Sequence, residues 1–208
     1  MLLIRFILDV LFPQNGTQTH VQNASLESIG ALVRPKHIDE HIVALLPYHH
    51  SLVRACIIEA KFKDNERAQH ILAGVLAEYL AEWSAEHTVL THSTLVLVPV
   101  PLSASRRTER GYNQAERIAR LATSKLPDVY LDTDLLVRVR DTIPQTSLSG
   151  TERRSNLEGA FKASGPSDPD YTYIVLDDVT TTGTTLRAAI TALTSVHPGR
   201  VIGIALAH

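Results

Sequence analysis

Two adjacent acids, Asp177 and Asp178, separate an apolar run at residues 173–176 from a loop of small hydroxyl residues, Val179-Thr180-Thr181-Thr182-Gly183-Thr184-Thr185. Gly183 lets the backbone turn and come close to a ligand. The threonines bring hydroxyls. The amides opening a following helix bring free N–H donors and the positive end of the macrodipole. Such a loop favours an anion, and phosphate suits it well. The neighbouring acids repel phosphate, so their chemistry differs: they accept hydrogen bonds from sugar hydroxyls, or hold Mg²⁺ directly or through water. Phosphate, diol and metal together describe a phosphorylated ribose. Other phosphate loops fit poorly. A P-loop needs Lys after its second glycine, and Thr184 follows Gly183. A dinucleotide fingerprint needs three spaced glycines, and Gly183 stands alone in this loop.

These groups need a strand and a helix to position them. Residues 171–177 read as a buried strand of a parallel sheet, and residues 184–196 as the helix after it. Helical apolar spacing recurs at 51–61, 67–83 and 113–125. Extended segments lie at 94–101, 129–140, 160–163 and 200–207. The alternation implies an α/β fold with a mainly parallel central sheet and helices on both faces. Ligands in such sheets sit at the carboxyl ends of strands. Asp177 and the corner Pro99-Val100-Pro101 both fall there. Residues 141–157, with Pro144 and Gly150 among many polar side chains, show little periodicity and read as a flexible loop.

The remaining sequence sets bounds. At 208 residues the chain has room for one domain and an extension. We place the extension at residues 1–46 and the domain at 47–208. Within the extension, Leu3, Phe6, Ile7, Val10 and Leu11 have the spacing of a short amphipathic helix, and residues 14–28 read as a loop. That apolar start is too short to span a bilayer, and Asp9 interrupts it, which disfavours a signal peptide. His37 and His41 stand four apart and would share a helix face. A net charge of −2 argues against nonspecific nucleic-acid binding by the whole protein. Nine of the fifteen arginines nevertheless lie between residues 102 and 157, so cation chemistry is local. The single cysteine, Cys56, rules out an internal disulfide, fits a reducing cytoplasm and reads as a buried thiol.

Further strings narrow the reading. One is Val98-Pro99-Val100-Pro101-Leu102, followed by Arg106-Arg107-Thr108-Glu109-Arg110-Gly111-Tyr112-Asn113-Gln114. Another is Arg138 through Thr146, followed by Arg153-Arg154-Ser155-Asn156-Leu157-Glu158-Gly159-Ala160-Phe161. A looser one runs from Tyr48 through Lys61 and Phe62. The segment from Asp177 to Thr185 resembles the 5-phosphoribosyl-1-diphosphate (PRPP) signature of type I phosphoribosyltransferases. With the other strings, in this order, residues 48–208 resemble the ComF family of phosphoribosyltransferase-like proteins, associated with natural competence and DNA uptake. Members often carry a cysteine-rich zinc module ahead of the domain. Residues 1–47 contain no cysteine, so that module is absent or without its metal, and no resident metal site is expected.

The resemblance implies the type I phosphoribosyltransferase fold and a displacement at the anomeric carbon of Mg²⁺-bound PRPP, with a base as acceptor and pyrophosphate as leaving group. Asp177 and Asp178 would meet the ribose hydroxyls, and Thr181, Thr182, Gly183, Thr184 and Thr185 the 5′-phosphate. Arg106, Arg107 and Arg110, after the strand end, are candidates for the pyrophosphate, since a guanidinium fork pairs two phosphate oxygens; Lys61 is a weaker one. Arg138, Gln145, Arg153 and Asn156 flank or lie within a loop suited to close as a lid, with Arg153 set beside the acids as a catalytic candidate. The alternative is a PRPP- or nucleotide-binding protein without turnover, acting in regulation or DNA uptake. A DNA-uptake partner and a homodimer stay open at this level, and no membrane span is expected.

Overall fold

The computed structural model describes residues 14–91, 93–140, 159–165, 168, 170–197 and 199–208. In chain order these form α1 (Gln14–Asn23), α2 (Leu26–Gly30), β1 (Lys36–His37), β2 (Ile42–Leu46), α3 (Ser51–Phe62), α4 (Glu66–Thr91), β3 (Thr94–Pro99), α5 (Ala104–Arg110), α6 (Gln114–Thr123), β4 (Val129–Leu131), β5 (Leu136–Arg138), β6 (Phe161–Ala163), β7 (Tyr171–Val179), α7 (Thr184–Thr194) and β8 (Arg200–Ala207). The main sheet runs β1-β2-β8-β7-β3-β4. Every pairing in it is parallel except β1 with β2. Strands β5 and β6 pair antiparallel as a small separate sheet. The result is an α/β protein with a mostly parallel sheet between helices.

Its central strands are apolar on both sides because both faces are covered. Leu95 and Leu97, Ile174 and Leu176, and Ile204 and Leu206 enter one core with α1 to α4 and α6. Val96 and Val98, Tyr173 and Val175, and Ala205 enter the other, with α7 and the β5–β6 pair. Cys56 is fully buried in the first core. Burial pushes its thiol up to about 11, so it packs as an apolar group rather than a nucleophile.

The N-terminal region differs from expectation. Residues 14–28, read as a loop, fold largely into α1 and α2. Tertiary contacts supply what the weak apolar pattern could not. Val21 and Ala24 are buried. Thr17 Oγ1 donates to Glu59 Oε1 at 2.6 Å, and Arg67 donates to the carbonyls of Val21 and Ala24 at 3.0 and 2.7 Å. The boundary expected at 46/47 falls at the end of a sheet strand: β2 pairs in parallel with β8, and Val43 and Leu45 belong to the core. Residues 14–46 are therefore built into the same unit as the rest, because β8 would otherwise be an uncovered edge. The amphipathic helix expected before residue 13 lies outside the described residues. His37 and His41 share no helix: His37 ends β1 and His41 follows the turn to β2. Among the described residues, no helix is long and apolar enough to cross a membrane.

Candidate functional site

Strand β7 stays in the sheet through Val179, so both acids sit on regular backbone at its carboxyl end. The Thr180 amide then donates to the Ala207 carbonyl at the end of β8, at 3.0 Å, which pins the start of the loop. Thr180 Oγ1 accepts the Gly183 amide at 2.9 Å. The chain reverses through Gly183, at φ 75°, into α7. Gly183 is the N-cap of that helix and offers no side chain, so the first turn of α7 lines the cleft without a side-chain cap. The hydroxyls of Thr182 and Thr184 share a 2.7 Å hydrogen bond at its mouth. Free amides at a helix N-terminus are an anion site.

A cleft of about 280 Å³ joins this loop to the rest of the constellation. Asp177, Asp178 and residues 179–185 form one wall, and Lys61, Arg106, Arg110 and Arg138 also line it. Among the described residues, four cations against two acids leave the cleft able to take a multiply charged anion. Asp178 is 4% exposed. Its Oδ2 meets Lys61 Nζ at 2.5 Å and accepts Gln114 Nε2 at 2.8 Å. Gln114 Oε1 in turn accepts Arg110 Nη1 at 2.8 Å. Lys61, Gln114 and Arg110 thus form one polar line ending on Asp178. Asp177 makes fewer bonds: its Oδ1 accepts the Asp178 amide at 2.8 Å.

The two carboxyls are electrostatically unlike. Burial, then the Asp178 charge beside it, pushes Asp177 up to about 7. Burial also opposes ionisation of Asp178, but Lys61, by charge and hydrogen bond, draws it below the usual carboxylate range. Asp177 therefore binds a proton in the fold that it would lose when unfolded, across the interval from about 4, its ordinary value, up to 7. Over that interval its ionisation removes native stability as pH rises. Asp177→Asn should consequently melt higher than the wild type at pH 8 and at nearly the same temperature at pH 4. Thermal melts across this range check it; a constant gap would mean the carboxyl is not strained in the free protein.

The pyrophosphate candidates separate by helix geometry. Arg106 and Arg110 are four apart on α5, share a face and line the cleft. Arg107 faces elsewhere, pairing with Glu116 at 3.7 Å, and does not line it. The segment carrying them is this short helix, capped by Ser103 and closed by Gly111 at φ 80°. Asn113 is a cap as well: its Oδ1 accepts the Ala115 amide and its Nδ2 donates to the Val100 carbonyl. Arg138, on β5, lines the cleft over the Phe161 ring. Gln145, Arg153, Asn156 and the lid assigned to residues 141–157 lie outside the described residues.

Several positioning groups had no clear sequence signal. Gln114 bonds Asp178 across 64 positions. Arg187 donates to the Thr182 carbonyl and pairs with Asp39 in the β1–β2 turn. Arg187 was findable as the residue one turn after Gly183; Asp39, 148 positions away, was not.

Competence protein F of Haemophilus influenzae is 36% identical over 129 residues, covering 61% of this chain and 55% of that protein. DNA utilization protein YhgH of Salmonella typhi is 37% identical over 90 residues, covering 43% of this chain and 39% of that protein. Its counterpart in Escherichia coli K12 is 36% identical over the same length. The chain thus spans about half, or less, of the relatives it matches. No family model matches it.

Proposed function

We propose that this chain, a member of the ComF family, has the type I phosphoribosyltransferase fold, binds PRPP with Mg²⁺ and transfers its phosphoribosyl group to a ring nitrogen. The observation that carries the reading is one cleft. In it the Asp177–Asp178 pair, the uncapped first turn of α7 and the cations Lys61, Arg106 and Arg110 all meet. A 5′-phosphate would lie against the amides and hydroxyls of residues 181–185. The ribose hydroxyls would donate to Asp177, which takes one protein donor among the described residues, and to Asp178. Arg106 and Arg110 would hold the pyrophosphate.

The residues present fit a metal delivered with its ligand. Among the described residues no three acids, histidines or cysteines gather as a metal site. Mg²⁺ takes most of its coordination from water and phosphate, with one or two carboxylates, and Asp177 suits that limited part. When bound, the ion would neutralise pyrophosphate charge. The protein's own contribution is electrostatic preorganisation: Arg106 and Arg110 face the departing charge, and the acids face the cationic sugar. In the transfer, the C1–O bond breaks with its electron pair going to pyrophosphate. The ring-nitrogen lone pair forms the new bond to C1, and the ring N–H proton passes to the pyrophosphate.

The relatives are named for competence and DNA utilization rather than for a reaction. That favours a second reading, a PRPP-binding accessory of DNA uptake without turnover. Calorimetry with Mg²⁺-PRPP, then a pyrophosphate assay with a panel of bases, separates the two. Binding with acceptor-dependent pyrophosphate release supports the transferase, binding alone supports the accessory, and no binding removes both.

A further inference from the structure

The string Arg110-Gly111-Tyr112-Asn113-Gln114 holds one side chain that does not line the anion cleft, Tyr112. Gln114 fastens to Asp178 on β7, and Asn113 fastens to the Val100 carbonyl just after β3. Tyr112 reaches the end of α3. There the Glu59 carbonyl takes both the Lys63 and the Asn65 amides, at 3.2 Å each. A further turn of helix would bond the Asp64 amide to the Ala60 carbonyl. Instead the Asp64 amide donates to Tyr112 Oη at 3.0 Å, and Tyr112 Oη donates to the Ala60 carbonyl at 2.9 Å. One hydroxyl thus satisfies two backbone groups that a helix end leaves without partners.

The surroundings hold that hydroxyl in place. The Arg117 guanidinium lies over the Tyr112 ring at 4.3 Å and pairs with Asp64. Asp64 Oδ1 also accepts Gln69 Nε2 at 2.9 Å. Asp64 has a φ of 53°, a left-handed conformation that aspartate tolerates better than most residues. Burial pushes the Tyr112 phenol above its ordinary value, so it stays protonated and able to donate. Lys61 and Phe62 lie between the two bridged positions. Lys61 Nζ reaches Asp178 Oδ2 at 2.5 Å. The Phe62 ring lies 5.9 Å from that ammonium and 5.0 Å from the Arg110 guanidinium.

We propose that Tyr112 is a positioning residue of the anion cleft, whose hydroxyl fixes the last turn of α3 so that the Lys61 charge stays in the cleft beside Asp178. The assignment rests on the PRPP reading of that cleft. A lysine ammonium rides on a flexible four-carbon stem, so its place depends on the backbone that carries it. Without the hydroxyl, the Ala60 carbonyl and the Asp64 amide turn to water, and the helix end frays. The Lys61 ammonium then spends less time on Asp178. The phosphate loop is held separately, by the Thr180 amide on the Ala207 carbonyl and by Gly183 on Thr180. The loss is therefore selective: it reaches the cation side of the cleft and spares residues 181–185.

The test is Tyr112→Phe, which keeps the ring under Arg117 and removes only the hydroxyl. Lysines are acetylated in the free, full-length protein, and the rates are read residue by residue by mass spectrometry. The Lys61 rate should rise about fivefold, the scale of one neutral hydrogen bond. The exposed Lys125 and Lys162 should keep their rates. By calorimetry, Mg²⁺-PRPP affinity should fall by a similar factor, and inorganic phosphate should bind the variant as it binds the wild type. An unchanged Lys61 rate overturns the proposal, as does unchanged Mg²⁺-PRPP affinity where the wild type binds it. An equal rise at every lysine, with weaker phosphate binding, also overturns it, because that is general loosening. A wild type that binds no Mg²⁺-PRPP would sink the PRPP reading instead, and the Lys61 rate would still decide the role of Tyr112.

Discussion

Replacing Gly183 with valine is expected to abolish Mg²⁺-PRPP binding. Two independent constraints act at this position. Its φ of 75° lies in the left-handed region, which costs an L-residue about 1–2 kcal/mol and a β-branched one more. A Cβ there would also stand 3.0 Å from Arg187 Nη1 and 3.2 Å from both Ile38 and Ile42. The loop must then shift, and the first amides of α7 move with it. Losing two charge-assisted hydrogen bonds, at about 1.5–3 kcal/mol each, lowers affinity by more than about a hundredfold. Calorimetry with Mg²⁺-PRPP, and a titration with inorganic phosphate, would measure it, with circular dichroism to establish that the variant is folded. Wild-type affinity for both would place the anion somewhere else on the protein.

Asp178→Asn is expected to affect both binding and stability. Beside its proposed ligand role Asp178 has a structural one, because Lys61, 22% exposed, has it as its partner at 2.5 Å. An asparagine leaves that cation half-buried and unpaired. Breaking a fully buried pair costs about 3–5 kcal/mol, and the residual exposure of Lys61 should keep the loss near the lower end. PRPP binding should fall about ten- to a hundredfold, the scale of one hydrogen bond to a charged group. The double variant Lys61→Met with Asp178→Asn separates the two effects. Removing both charges should restore most of the melting temperature and leave binding impaired. If binding recovers with stability, Asp178 is a structural acid and the ribose contact is assigned to the wrong residue.

The chemistry of the signature loop is local, and local chemistry is what a sequence displays. A strand, two acids, a glycine turn and a helix start are contiguous, so their order alone brought Asp177, Asp178 and residues 181–185 together. Helix α7 and strands β3, β7 and β8 were legible because buried parallel strands and amphipathic helices have strong, simple periodicities. Arg106 and Arg110 were legible as cations near a strand end. That Arg107 turns away to Glu116 follows from their forming a helix, which a short, mostly polar run does not announce.

Other features required the fold because they depend on distant partners. Helix α1 has too short an apolar stripe to stand alone and exists against α3 and Arg67. Strand β2 is part of the sheet because β8, more than 150 residues later, supplies its hydrogen bonds. The union of Lys61, Gln114 and Asp178 joins three elements through one buried carboxylate. Burial beside that charge sets Asp177 apart from its neighbour, although the sequence shows only two identical residues in a row. The sequence by itself determined which groups are available for the proposed phosphorylated sugar. Tertiary structure decided which of them face one cleft and what charge each holds there, because desolvation and Coulomb forces depend on distances the chain order does not contain.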